Sequence, residues 1–79
     1  MKIPNFLRPF LWSYDLKKLD LEKNKEKIIF NILNFGNKKA TDWLFKVYSK
    51  KEIIQIFKKI KPHLWQRRSY NFWKIIFEK

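Results

Sequence analysis

Apolar residues recur along most of this chain with the period of an α-helix. Leu21, Ile28, Ile32 and Phe35 share one helical face, with Ile29 and Leu33 beside them and Lys23, Lys27 and Asn34 opposite. This predicts a first helix that starts at Asp20 as N-cap, or at Asn24, and ends at Gly36 in the left-handed conformation that closes many helices. Phe30 falls outside the apolar arc and reads as a candidate exposed contact. Asn37, Lys38 and Lys39 read as a connection. A second helix is expected from Asp42 to Tyr48 with Thr41 as N-cap, pairing Trp43 with Val47 and Leu44 with Tyr48. Its wide apolar arc predicts a place between neighbours, in the middle of the fold.

Ser49-Lys50-Lys51-Glu52 has the form of a capping box, in which the Ser49 hydroxyl accepts from the Glu52 backbone N–H. It sets the start of a third helix and leaves almost no loop after Tyr48. The stretch Thr41 to Lys61 therefore reads as two helices crossing at a large angle, a helix-turn-helix-like pair. The third helix should bury Ile53, Ile56, Phe57 and Ile60, and Pro62 stops it. Ser69 is the expected N-cap of a last helix, Tyr70 to Phe77. Phe72, Trp73, Ile76 and Phe77 form its apolar face, with Asn71, Lys74 and Glu78 opposite. Pro4 and Pro9 argue against a helix before Phe10, so residues 1–19 read as an extended aromatic arm, strapped down by Phe10, Leu11 and Trp12 and then by Leu16 and Leu19. The fold class is all-α: one compact four-helix domain, with the arm over 1–19, the helical core over 20–79 and a helix-turn-helix-like central pair.

Composition sharpens this picture in two ways. Aromatic residues make up 19% of the 79 residues, which lets a short chain bury much area with few side chains and leaves a surface patch for a partner. Trp12, Tyr14, Phe30, Trp65 and Trp73 are the candidate protein-partner residues. The formal charge is +12, from 19 Lys+Arg against 7 Asp+Glu, which points to an acidic partner: nucleic acid, an anionic surface or an acidic protein. Lys51, Gln55, Lys58 and Lys59 on the outer face of the third helix, with Arg67 and Arg68 before the last, are the candidate nucleic-acid contacts. Gln is a side chain that pairs with adenine in a major groove, and cations beside free N–H groups suit phosphate or carboxylate.

Other chemistries find little footing. The chain has no cysteine, a single glycine and a single histidine, His63, with no carboxylate cluster beside it. Neither a metal site, a phosphate-cradling loop nor a catalytic triad can be assembled, and no enzyme, cofactor or small-molecule substrate is expected. Pro4, Arg8 and Pro9 break the N-terminal apolar run, so it does not read as a signal peptide, and no stretch approaches the roughly 18 apolar residues of a membrane span. The expected setting is the cytoplasm.

Four stretches together resemble a family of small uncharacterised bacterial domains: FLWSYDLKKLDLEKNKEKII from Phe10 to Ile29, NFG from Asn34 to Gly36, WLFKVYSKKEI from Trp43 to Ile53, and NFWKIIF from Asn71 to Phe77. Genes of that family often lie beside an abortive-infection-type toxin of the nucleotidyltransferase fold. The resemblance therefore implies an antitoxin-like protein, or a regulator of such an operon, whose partner is that toxin. The chain departs from the family pattern over His63 to Arg68, where Trp65 is unusual. The leading expectation is a non-enzymatic antitoxin-like protein that restrains an acidic, nucleotidyltransferase-type partner. The alternatives are a DNA-binding regulator using the third helix, and a small RNA-binding protein.

Overall fold

The computed structural model describes residues 3–11, 15 and 17–78. Trp12, Tyr14 and Leu16 lie outside the described residues. Four α-helices are present among them: α1 (Lys25–Phe35), α2 (Lys38–Val47), α3 (Lys50–Lys59) and α4 (Arg67–Phe77). A 3-10 helix spans Asn5–Phe10 and another, Pro62–Leu64, bridges α3 and α4. No strand occurs among the described residues, so the protein is all-α.

The organising helix is α1, not α2. The N-terminal 3-10 helix, α2, α3 and α4 all pack on α1, and no other pair of elements packs as extensively. Ile28, Ile29 and Ile32 are completely buried, Leu33 and Asn34 nearly so, and Phe30 is half-buried. These positions cover most of the helix circumference, which is the mark of a helix enclosed by neighbours. Each fully buried Ile is worth about 1.5–3 kcal/mol in transfer free energy. By contrast α2 fully encloses only Ala40 and Leu44. The sequence pattern overstated α2 because its Trp43, Phe45 and Val47 are apolar yet only half-buried.

Local chemistry explains the helix boundaries. The Ser49 hydroxyl accepts from the Glu52 backbone N–H at 3.1 Å, and α3 starts directly after it. α2 begins four residues before the Asp42 start that the sequence predicts, because Asn37 rather than Thr41 is its N-cap: Asn37 Oδ1 accepts from the Ala40 N–H at 2.9 Å. The Thr41 hydroxyl instead donates to the Lys38 carbonyl. Asp20 caps a separate turn ahead of α1. Its carboxylate accepts from the Glu22 N–H at 2.8 Å and the Lys23 N–H at 2.9 Å, and these bonds, that of Lys23 foremost, hold its pKa below the ordinary value.

Within the predicted extended arm, Asn5–Phe10 is instead a 3-10 helix. Pro9 lies inside the 3-10 helix and lacks the N–H that would bond the Phe6 carbonyl, so the helix forgoes one backbone bond there. Leu7 and Leu11 are fully enclosed against the core, and Lys39 Nζ lies 4.5 Å from the centre of the Phe6 ring. Tyr48, at the end of α2, donates its hydroxyl to the Leu21 carbonyl at 2.7 Å and so ties the turn before α1 to the α2–α3 junction.

Gly36 is needed for space, not for an unusual backbone. Its φ is −75° and ψ 169°, extended rather than left-handed. A Cβ there would lie 2.5 Å from the Ile32 carbonyl oxygen and 3.3 Å from Ala40 Cβ. Gly36→Ala should therefore destabilise the fold by about 1–3 kcal/mol in denaturant unfolding, as overpacking does.

Tyr48 supplies a pH test. Burial, then Glu22, Glu52 and Asp20, push its phenol pKa from 10.0 to about 12. The folded state thus favours the protonated phenol more than the unfolded chain does, so this contribution to stability is complete below pH 10 and declines as the pH rises from there through about 12. Unfolding midpoints should fall over that window in the native chain, and the tyrosine-linked part of the fall should vanish in Tyr48→Phe.

Candidate functional site

Helix α1 ends with carbonyls that have no partner within the helix, and α4 brings donors to two of them. Trp73 Nε1 donates to the Leu33 carbonyl at 2.9 Å and Ser69 Oγ to the Asn34 carbonyl at 2.7 Å. The Asn34 side chain, 5% exposed, accepts from the Gln66 N–H at 2.8 Å. Two expectations change as a result. Asn34 does not face water, and Ser69 is not an N-cap: α4 starts at Arg67, behind Gln66, and Ser69 lies inside it.

Around this junction the aromatic side chains form a connected cluster. Phe57 stacks on Tyr70 at 5.3 Å and meets Trp65 at 5.1 Å and Phe77 at 5.2 Å. Trp73 stacks on Phe77 at 5.4 Å, and Phe30 meets Trp65 at 4.7 Å with rings inclined at 62°. Two candidate partner residues, Trp65 and Trp73, are thereby reassigned. Trp65 and Trp73 are 5% and 8% exposed and belong to the core, and Phe30 is half-buried on Trp65. The Trp65 Nε1–H is buried with no acceptor among the described residues.

The exposed apolar surface lies elsewhere. Phe72 is 54% exposed, Ile75 63%, Leu64 56% and Phe35 45%. Phe35 was expected on the apolar face of the first helix, and Phe72 on that of the last, most of which was to close the core. Phe35 sits on the last turn of α1, while Phe72 lies edge-on to Trp73 at 4.9 Å with its other side open. Phe72 borders a groove of about 470 Å³ between the end of α1, the start of α2 and α4. Leu33, Trp73 and Ile76 contribute apolar surface to the groove, and Lys38 and Arg68 contribute cations. A signal for it stood in the sequence: Arg68, Phe72 and Ile76 recur at i, i+4 and i+8, a mixed basic and apolar stripe on one helix face.

The candidate nucleic-acid residues do not form one cluster. Lys51, Gln55, Lys58 and Lys59 are all exposed on α3, but Lys59 pairs with Glu26 in the first turn of α1. Arg68 lies by Gly36 and Lys38, just past the last turn of α1. Glu26 and Asn34 are eight residues apart on α1, roughly 12 Å of helix rise. Lys58 borders a small cleft of about 160 Å³ with Tyr70 and Lys74. Arg67 is exposed. Among the described residues no grouping of His, Cys, Asp or Glu is placed to hold a metal ion, and no helix is long and apolar enough to cross a membrane.

These features define a small, strongly basic, all-helical domain with an apolar groove at one end of its central helix. The chain belongs to a protein family of unknown function, DUF6922, whose profile matches residues 6–57. The match runs from the N-terminal 3-10 helix through most of α3, so α4 and its side of the groove lie beyond it. No curated protein and no solved structure matches the chain.

The two buried tryptophans provide a paired test. Trp73→Phe strands the Leu33 carbonyl, whereas Trp65→Phe removes a donor that already lacks an acceptor. By the cost of an unsatisfied buried group, Trp73→Phe should lose about 1–3 kcal/mol more stability than Trp65→Phe in denaturant titrations.

Proposed function

We propose that this protein is a non-enzymatic, antitoxin-like binding protein that docks on an acidic partner protein through basic and apolar surface. The observation that carries the reading is the pairing of a +12 charge with exposed Phe72, Leu64 and Ile75 on and beside α4. A solvated lysine coat explains the charge alone, but not large apolar side chains left half open among the cations. The sequence resemblance adds a nucleotidyltransferase-type toxin as the partner. Binding to such a toxin restrains it by occupying its surface, a role that asks nothing catalytic of this chain.

A second reading, DNA binding through α3, is favoured by one specific feature. Lys51, Gln55 and Lys58 are all exposed on that helix, and Gln55 makes no side-chain hydrogen bond among the described residues. Such a face fits a groove of duplex DNA.

Co-expression with any nucleotidyltransferase-fold protein encoded beside it tests the first reading. The two should co-purify at physiological salt, and clean separation there contradicts it. For the second, duplex binding should fall steeply with salt, and Gln55→Ala with Lys58→Ala should relax sequence preference. Unchanged affinity and preference in that double variant excludes readout by α3.

A further inference from the structure

The groove beside Phe72 has a composition that selects among occupants. Its walls are apolar, from Leu33, Phe72, Trp73 and Ile76, and its two cations are not equivalent. Lys38 Nζ is already paired with Asp42 at 3.1 Å. Arg68 is exposed and forms no ion pair among the described residues. A single uncommitted guanidinium beside an apolar wall matches one carboxylate next to a bulky apolar side chain, because the guanidinium fork takes a carboxylate through two parallel bonds. It is too little charge for a polyphosphate backbone, whose affinity comes from many cations at once. A second copy of this chain is disfavoured too, since each copy brings a charge of +12 to the contact.

We propose that this groove is the docking site for an acidic segment of the partner protein, one that places a bulky apolar side chain against Phe72 and Ile76 and a flanking carboxylate on Arg68. The inference rests on the partner-binding reading above and gives it a location. Phe72 is the anchor contact: it is large, aromatic and already held at a fixed angle by Trp73, so little side-chain freedom is lost on binding. Arg68 sets the sign of the partner's charge. The α3 face with Lys51, Gln55 and Lys58 plays no part in this contact.

The test uses the full chain and three synthetic probes: a fluorescent peptide combining Glu with Leu and Phe, an oligoglutamate of equal charge, and a single-stranded DNA oligomer. Fluorescence anisotropy should show the first peptide bound by the native protein. Binding should weaken about tenfold in Phe72→Ser and in Arg68→Glu, which is about 1.4 kcal/mol each, and stay unchanged in Lys51→Glu. All three substituted positions are exposed, and circular dichroism checks that the variants fold. Oligoglutamate binding as tightly as the apolar peptide, with Phe72→Ser silent, overturns the proposal in favour of bulk charge. Displacement of the peptide by the DNA oligomer overturns it in favour of nucleic acid. Self-association abolished by Phe72→Ser overturns it in favour of a second copy. If the partner co-purifies but Phe72→Ser and Arg68→Glu do not weaken the complex, the groove is wrong and the partner reading stands. If neither partner nor peptide binds, the partner reading itself fails.

Discussion

The closing of the α1 C-terminus by residues from outside α1 is the constraint on which the rest of the structure depends. An α-helix leaves its last carbonyls without partners, and buried carbonyls must find donors or cost stability. Here the donors come from Ser69 and Trp73 of α4, while the Asn34 side chain holds the Gln66 N–H at the entry to that helix. These bonds fix where α4 starts and which way it faces. They draw Trp73 inward and leave Arg68 and Phe72 on the open side. The groove is therefore a geometric consequence of how the central helix is finished.

The aromatic cluster then fills the remaining space. Phe57 from α3 meets Trp65 from the connection and Tyr70 and Phe77 from α4, face to face or at an angle. A chain of 79 residues has little surface to bury, and large rings supply area with few side chains. This accounts for much of the aromatic content that, in the bare sequence, looked like partner surface. What remains outside is small and specific: Phe72 and Ile75 on α4, Leu64 in the connection before it, and Phe35 at the end of α1. Three of these four lie on or next to the α3–α4 region, which also carries Arg67 and Arg68.

How much could be read in advance followed the range of the interactions. The Ser49 cap and the all-helical class were legible because they rest on contacts between residues three or four apart. The start of α2 was misplaced because Asn37 and Thr41 are both competent caps, and the choice of Asn37 goes with the close packing of Gly36 on Ala40. The inward turn of Asn34 and the early start of α4 were illegible for a different reason. Both depend on bonds between residues more than thirty positions apart, which no local pattern contains. The central place of α1 was hidden similarly, since Asn34 and Phe30 look solvent-facing until α4 and Trp65 cover them. Arg68, read in the sequence as a candidate phosphate or carboxylate contact, borders the groove, and Phe72, read as part of the last helix's apolar face, stands 54% exposed beside it.

In the proposed reading, partner recognition and fold are linked through α4, one face of which closes α1 while the other offers Arg68 and Phe72. The most direct measurement is an amide nitrogen–proton NMR titration of the labelled protein with its purified partner. The account predicts that the largest shifts fall on Gly36 to Thr41 and Arg68 to Ile76, with Lys51 to Lys59 quiet. Shifts concentrated on Lys51 to Lys59, with the groove unmoved, would contradict it.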